Sequence, residues 1–138
     1  MEENFYTLKG YEIKNHSEFS HTMEDYLEMI YRIASKNQYI RVNELAQMLH
    51  VSPPSSSKMV KKIKEQGYVE FEPYGIIKLT KKGKKLGQYL LHRHDVLNKF
   101  FCYINHSKSE LEMVEKIEHY INEETIYHVE EFLKKHCK

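Results

Sequence analysis

The sequence predicts a mainly α-helical protein with a small β-wing, in which an N-terminal winged helix-turn-helix is followed by an all-helical region. Three observations carry this. Two segments of helical apolar spacing, 42–49 and 53–66, are separated only by His50-Val51-Ser52, room for a tight turn and nothing more. Two β-rich tetrapeptides, Tyr68-Val69-Glu70-Phe71 and Ile76-Ile77-Lys78-Leu79, flank the turn signal Pro73-Tyr74-Gly75 and so read as a hairpin. From Thr80 onward, three further helical segments follow.

The elements are justified in chain order. Residues 1–20 show no sustained period and read as an arm, with Phe5, Tyr6, Tyr11 and Phe19 as side chains by which it can dock. Thr22 as N-cap, with Glu24 and Asp25 in the first turn, opens a helix whose Met23, Tyr26, Leu27, Ile30 and Ile33 share one face. Asn37-Gln38 ends it. The next helix spans Val42 to Leu49, with Asn43 as the candidate cap and Val42, Leu45, Ala46 and Leu49 inward. Ser52 is a good N-cap for the third, and Pro53 stands at its first position, where a missing N–H costs nothing. Met59, Val60 and Ile63 face inward there, and Gly67 is the residue that stops it. After the hairpin, Thr80 caps a long helix from Lys81 to about Ile104, which tolerates Gly83 and Gly87. Ser109 with Glu112 forms a capping-box signature for a helix to about Tyr120, and Thr125 caps a last one reaching Lys135.

No stretch of the 138 residues approaches the roughly 18–20 apolar residues of a membrane span, and Met1 to Ser20 lacks the apolar core of a signal peptide. Cys102 and Cys137 stand far apart, in no CxxC arrangement. A cytoplasmic location with free thiols is the expectation.

Net charge is near zero but unevenly spread. Lys58, Lys61, Lys62, Lys64, Lys78, Lys81, Lys82, Lys84 and Lys85 crowd the middle of the chain, opposed by Glu65, Glu70 and Glu72. Further on, Glu110, Glu112, Glu115, Glu118, Glu123, Glu124, Glu130 and Glu131 face a lone Lys116. A basic middle suits a polyanion and an acidic C-terminal part suits cations, although solvated helix faces account for the charge equally well.

In a helix-turn-helix the second helix enters the major groove of double-stranded DNA by residues near its N-terminus. Here these are Pro53, Pro54, Ser55, Ser56, Ser57 and Lys58, with Ser52 as the cap and Lys61, Lys62 and Lys64 behind them. Small hydroxyls and prolines permit close approach, and the helix N-terminus attracts phosphate oxygens. A winged helix that binds protein instead is the rival reading of the same block, and helix order, caps and lysine placement favour DNA over it.

Asp25 and Glu28 lie three residues apart on one helix face; Glu115, Glu118 and His119 do the same on another. His94 stands on the long helix among His92, Arg93 and Asp95. Carboxylates with imidazoles suit first-row divalent ions, and an oxygen-dominated set favours Mn2+. Taken singly, each residue also has an ordinary role, in a cap, an ion pair or a polar stripe, and spacing does not show that the three groups meet. Leu86, Leu90, Leu91, Leu97, Phe100 and Phe101 suit a dimer interface or burial within one chain. A ferritin-like bimetallic enzyme needs a Glu-x-x-His pair from each of two helices. The single cluster at 115–119 does not supply that, so an enzyme is not expected.

Five stretches together carry a resemblance: M-E-D-Y-L-E-M-I-Y at Met23–Tyr31, S-K-M-V-K-K-I at Ser57–Ile63, L-T-K-K-G-K-K at Leu79–Lys85, R-H-D-V-L at Arg93–Leu97 and V-E-K-I-E-H at Val114–His119. From Thr22 to about the C-terminus the chain resembles the DtxR/MntR family of metal-dependent repressors, most of all its manganese-responsive members. The resemblance implies a homodimer that binds operator DNA in response to Mn2+, and repression of manganese-uptake genes. It implies a binuclear site, two Mn2+ per subunit, built by Asp25, Glu28, His94, Glu115, Glu118 and His119, with Fe2+, Zn2+, Co2+ or Cd2+ as possible substitutes. Iron-responsive relatives carry sulfur-bearing residues at the positions of Asp25 and Glu118, where this chain has carboxylates. The implied division is an N-terminal extension, 1–21, a DNA-binding domain, 22–83, and a helical dimerisation and metal-binding domain, 84–138. Three departures stand out: the N-terminal extension, Gly75 where the wing of the family pattern has a basic residue, and Asp95 where a Glu after the His is more usual.

Overall fold

The computed structural model describes residues 7–14, 19–72 and 75–137. Phe5, Tyr6, Pro73 and Tyr74, which figured in the readings of the arm and the hairpin turn, lie outside them. The chain forms α1 (Leu8–Lys14), α2 (His21–Ser35), β1 (Ile40–Arg41), α3 (Val42–Met48), α4 (Pro53–Glu65), β2 (Val69–Glu72), β3 (Ile76–Leu79), α5 (Lys81–Asn105), α6 (Leu111–Ile117), a 3-10 turn (Glu118–Tyr120) and α7 (Glu123–His136).

Local chemistry explains where most elements begin. The Ser52 hydroxyl accepts a hydrogen bond from the Ser55 N–H at 3.2 Å, and Pro53 takes the first helical position, as expected. Thr80 Oγ1 accepts from the Gly83 N–H at 3.1 Å to open α5. Gly67 follows α4 with φ +85, a conformation that glycine adopts without steric cost. Other starts differ from expectation. Ser20, not Thr22, caps α2, accepting from the Met23 N–H at 3.2 Å. At α3 the Arg41 N–H donates to Glu44 Oε1 at 3.1 Å, which leaves Asn43 inside the helix. Asn122 caps α7 by accepting from the N–H of Thr125, the residue expected to be the cap. The box of Ser109 and Glu112 does not form. The Glu110 N–H donates to Asn98 Oδ1 on α5 at 2.9 Å, and Glu112 pairs with Lys116. The caps differ because several side chains can satisfy the free N–H groups at a helix start.

Two features left no pattern in the sequence. A seven-residue helix, α1, occupies part of the arm; beyond it Phe19, one of the side chains named for docking, packs against Tyr68 with ring centroids 4.7 Å apart. The wing is also one strand larger than a hairpin. The sheet order is β1-β3-β2, antiparallel, with Ile40 opposite Ile77 and Phe71 opposite Ile77 on the other side. A two-residue strand is too short for alternation to show.

Apolar residues form two clusters. The first joins Met23, Tyr26, Leu27 and Ile30 of α2 to Leu45, Val60, Ile63, the sheet and Leu90 of α5. The second joins Val96 and Leu97 of α5 to Val114, Ile126 and Leu133. The long helix therefore serves both, and Arg93 and His94 sit at the junction. Leu90 and Leu97 are 0% and 2% exposed within the single chain, and Leu86, Phe100 and Phe101 pack on the same clusters. Burial inside the chain accounts for Leu90 and Leu97, while Leu86, Leu91, Phe100 and Phe101 are only partly buried in the single chain.

Gly83 and Gly87 are contact points rather than tolerated breaks. A Cβ on Gly83 would strike the Tyr68 carbonyl, and one on Gly87 would lie 2.6 Å from Tyr31 Cβ. These glycines let α5 lie directly on the strand end and on α2.

Candidate metal centre

Three elements converge at the junction. α2 contributes Glu24, Asp25 and Glu28; α5 contributes Arg93 and His94; α6 and the 3-10 turn contribute Glu115, Glu118 and His119. Around His94 the geometry is tight. Its Nδ1 stands 3.9 Å from Glu28 Oε2, 3.6 Å from Glu115 Oε1 and 3.6 Å from Glu118 Oε1. Ligand atoms of Glu28, His94 and Glu118 all lie within 4.8 Å of one another, and all three residues are buried.

The distances are too long for hydrogen bonds. His94 Nδ1 and both oxygens of Glu118 are buried without a partner, and Glu118 is 0% exposed. A buried carboxylate in that state is costly. Burial and the facing Glu118 carboxylate raise the Glu28 pKa, against the pull of Arg32, whose Nη2 donates to Glu28 Oε2 at 2.8 Å. The Glu118 carboxylate, with Glu28, raises the His94 pKa although burial opposes it. Two buried carboxylates and an imidazole at this spacing, with the Glu118 oxygens and His94 Nδ1 lacking hydrogen-bond partners, suit a first-row divalent ion. Glu115, 54% exposed, closes the outer side.

Asp25 and His119 meet one another in a neighbouring network. His119 Nε2 lies 2.8 Å from Asp25 Oδ1, and His119 Nδ1 lies 2.8 Å from Glu24 Oε1. Arg93 Nη2 donates to the same Glu24 oxygen at 3.2 Å. An ionised carboxylate only accepts, so each ring nitrogen presents a proton and the ring is an imidazolium. Burial opposes that charge, but the hydrogen bonds to Asp25 and Glu24 outweigh it, and the His119 pKa rises from 6.5 to about 9. His21 stacks on the ring, with centroids 5.0 Å apart.

A pH dependence follows. A raised histidine pKa stabilises the fold fully below the unfolded value of 6.5, and that contribution is lost as pH rises through about 9. Chelator-treated protein is expected to lose up to about 3 kcal/mol between those limits. Urea unfolding at a series of pH values checks this, and a flat profile over that window contradicts the ion-paired ring.

The structure thus groups Glu28, His94, Glu115 and Glu118 around one point and pairs Asp25 with His119 beside it. Sequence reasoning missed Glu24 as a site residue and read it as an ordinary acidic first-turn residue. Its four-residue spacing from Glu28 was the available signal, since it places both on one face.

In the helix-turn-helix, Ser52, Pro53, Pro54, Ser55, Ser57, Lys58, Lys61 and Lys62 are all exposed along the start and outer side of α4. Ser56 is not available there. It is 0% exposed, and its hydroxyl donates to the Val42 carbonyl at 3.1 Å, seating α4 on α3. Among the basic residues at the wing, Lys82 donates to the Gln66 carbonyl at 2.9 Å and covers the Tyr68 ring.

A winged helix-turn-helix whose first helix shares a buried carboxylate–imidazole cluster with a helical domain defines a class: DNA-binding transcriptional regulators with an ion-binding domain, not enzymes. The family model for the iron dependent repressor, N-terminal DNA binding domain, matches residues 18–77. The model for the iron dependent repressor, metal binding and dimerisation domain, matches residues 80–137. The chain belongs to this family, the DtxR/MntR group of metal-dependent repressors. Among solved structures it is similar to the manganese regulator SloR, with 28% identity, TM-score 0.72 and 81% of this chain covered. It is likewise similar to the metal-dependent transcriptional regulator MtsR, with 27% identity, TM-score 0.73 and 81% covered. ScaR with bound Zn2+ matches at 26% identity, TM-score 0.71 and 81% covered. The matched part is 53% of each of those chains, so this chain spans about half their length. No helix among the described residues is long and apolar enough to cross a membrane.

Proposed function

We propose that this chain is a manganese-responsive repressor of manganese-uptake genes, acting in the cytoplasm as a homodimer on double-stranded operator DNA. The observation that carries the reading is the buried set of Glu28, His94 and Glu118, contributed by three elements, in which His94 Nδ1 and both Glu118 oxygens have no hydrogen-bond partner. In this reading Glu28, His94, Glu115 and Glu118 hold one ion. Asp25 and His119, whose Nε2 and Oδ1 already face one another, contribute to a second beside it. An oxygen-rich set without sulfur favours Mn2+, with Fe2+, Zn2+, Co2+ and Cd2+ as substitutes. The similarity to a manganese regulator, and to ScaR structures with bound Zn2+ and Cd2+, supports it.

When bound, a divalent ion supplies the positive charge that this cluster of carboxylates lacks. The residues then act as a clamp. Glu28 and Asp25 stand on α2, in the same apolar cluster as the reading helix α4, while His94, Glu115 and Glu118 belong to α5 and the helical part beyond it. Drawing the two sets together fixes α2, and with it α4, relative to the dimerisation region (residues 84–138 in the proposed division). Tyr26, next to Asp25, is buried in the same apolar cluster as Val60 and Ile63 of α4, which joins the two helices. One separation of the two reading helices across the dimer is then favoured, to match half-sites about one DNA turn apart. The coupling is reciprocal: a roughly 100-fold gain in DNA affinity on metal binding, about 2.7 kcal/mol, requires an equal gain in metal affinity on DNA binding.

The test is fluorescence anisotropy on operator-length DNA from the promoter of a manganese importer, first with chelator and then with Mn2+, Fe2+ or Zn2+. A large gain selective for Mn2+ is expected. Lys58→Ala, Lys61→Ala and Lys62→Ala should each lower the log-log salt slope by about 0.9. Tight binding that ignores chelator overturns the reading, and selectivity for Fe2+ turns it into an iron sensor.

A further inference from the structure

We propose that Glu24 is a positioning residue of the metal centre, holding the Nδ1–H of His119 so that Nε2, beside Asp25, is the ring's ligating atom. The inference rests on the reading of Asp25 and His119 as ligands.

The two nitrogens of an imidazole point to different sides of the ring. On one side His119 Nε2 stands 2.8 Å from Asp25 Oδ1; on the other, Nδ1 stands 2.8 Å from Glu24 Oε1. Glu24 thus meets the ring at the nitrogen opposite the one that faces Asp25. Glu24 is committed elsewhere. Its Oε1 accepts from both His119 and Arg93, at 2.8 Å and 3.2 Å. Arg93 is 3% exposed, and its guanidinium lies 6.0 Å from the centre of the Tyr89 ring, so it is a fixed anchor.

Arg93 also makes Glu24 necessary. Its Nη2 lies 3.3 Å from His119 Nδ1. A guanidinium only donates. Without the Glu24 carboxylate, the nearest group to Nδ1 is this donor, which favours a bare Nδ1 and places the ring proton on Nε2. That is the wrong tautomer for ligation on the Asp25 side. With Glu24 present, Nδ1 keeps its proton and Nε2 is left for the ion. A carboxylate behind a metal-bound histidine commonly has this role, and its loss costs roughly 10–100-fold in affinity.

The experiment uses the full chain labelled with 15N-histidine and loaded with Zn2+, which is diamagnetic, alongside Mn2+ titration calorimetry. Two-bond 1H–15N correlation spectra distinguish a protonated from a metal-bound ring nitrogen, and His119→Ala identifies the His119 signals. In the wild type, His119 should show a protonated Nδ1 and a bound Nε2. Glu24→Ala should lose that pattern and weaken Mn2+ binding 10–100-fold. Glu24→Gln, whose amide oxygen still accepts from Nδ1, should restore both to within a few-fold. The proposal is overturned if Glu24→Ala keeps the pattern and the affinity. It is equally overturned if Glu24→Gln fails as badly as Glu24→Ala, since Glu24 then acts by its charge or as a ligand. If instead His119→Ala binds Mn2+ as tightly as the wild type, the ligand reading of His119 fails, a result distinct from either of those.

Discussion

Glu118→Gln should abolish Mn2+-dependent operator binding while making the metal-free protein more stable. The two effects have opposite signs because one feature causes both. Glu118 is 0% exposed, and neither of its oxygens has a partner. In the absence of a cation it faces Glu28, whose pKa is raised by burial and by that repulsion. Replacing it with a neutral amide of the same shape removes a buried charge and lets an N–H2 donor face the Glu28 carboxylate. At alkaline pH, where the His94 ring is neutral, the gain should be about 1–2 kcal/mol in urea unfolding with chelator present. The same change removes an anionic ligand. Mn2+ affinity should fall by at least about 100-fold, roughly 2.7 kcal/mol. DNA binding should then stay at its chelator level. A structural core residue would behave in the opposite way, losing stability on substitution. Retained Mn2+ dependence in this variant would remove Glu118 from the site.

Gly83→Ala should destabilise the DNA-binding half by about 3 kcal/mol or more, at or above the upper end of ordinary overpacking. The added methyl would run into the Tyr68 carbonyl oxygen and lie 3.1 Å from Leu79 Cδ2. A backbone carbonyl cannot rotate away as a side-chain tip can. This one is also engaged, accepting from the Thr80 N–H at 3.1 Å. Thr80 in turn caps α5 through its hydroxyl and donates to the Gly67 carbonyl at 2.6 Å. The substitution therefore disturbs the strand end, the helix cap and the end of α4 together. Its signature is a lowered urea midpoint with Mn2+ affinity recovering once the protein is folded at low denaturant. An unchanged midpoint would mean that α5 can lift off the strand at little cost.

Much of the fold was legible because its signals are local. Ser52-Pro53 and Gly67 bound α4 in the structure where the sequence places them, since a cap and a left-handed stop involve neighbours in the chain. The other helix starts were readable only to within a few residues: Thr22, Asn43 and Thr125 each have a rival within three positions that can satisfy the same N–H groups, and at Ser109 the N–H of Glu110 goes to Asn98 of α5 instead. The strand Ile40–Arg41 was invisible for a different reason: its reality consists of pairing with Ile76 and Ile77, far along the chain.

The site divides in the same way. Sequence alone determined the chemistry available: which helix faces carry carboxylates, that His94 stands on a long helix, that no sulfur residue lies among the candidates, and that lysines follow the start of α4. Periodicity is sufficient for these, because side chains three and four apart on a helix share a face whatever surrounds them. Only the tertiary structure decided which faces meet. It set His94 within 4 Å of Glu28, Glu115 and Glu118, gave His119 to Asp25 and Glu24, took Ser56 into the core, and turned Leu90 and Leu97 inward. The reason is physical. Convergence depends on how α5 crosses α2 and α6, the approach to α2 is close at Gly87, where Tyr31 faces it, and no feature within one turn of any single helix encodes the crossing.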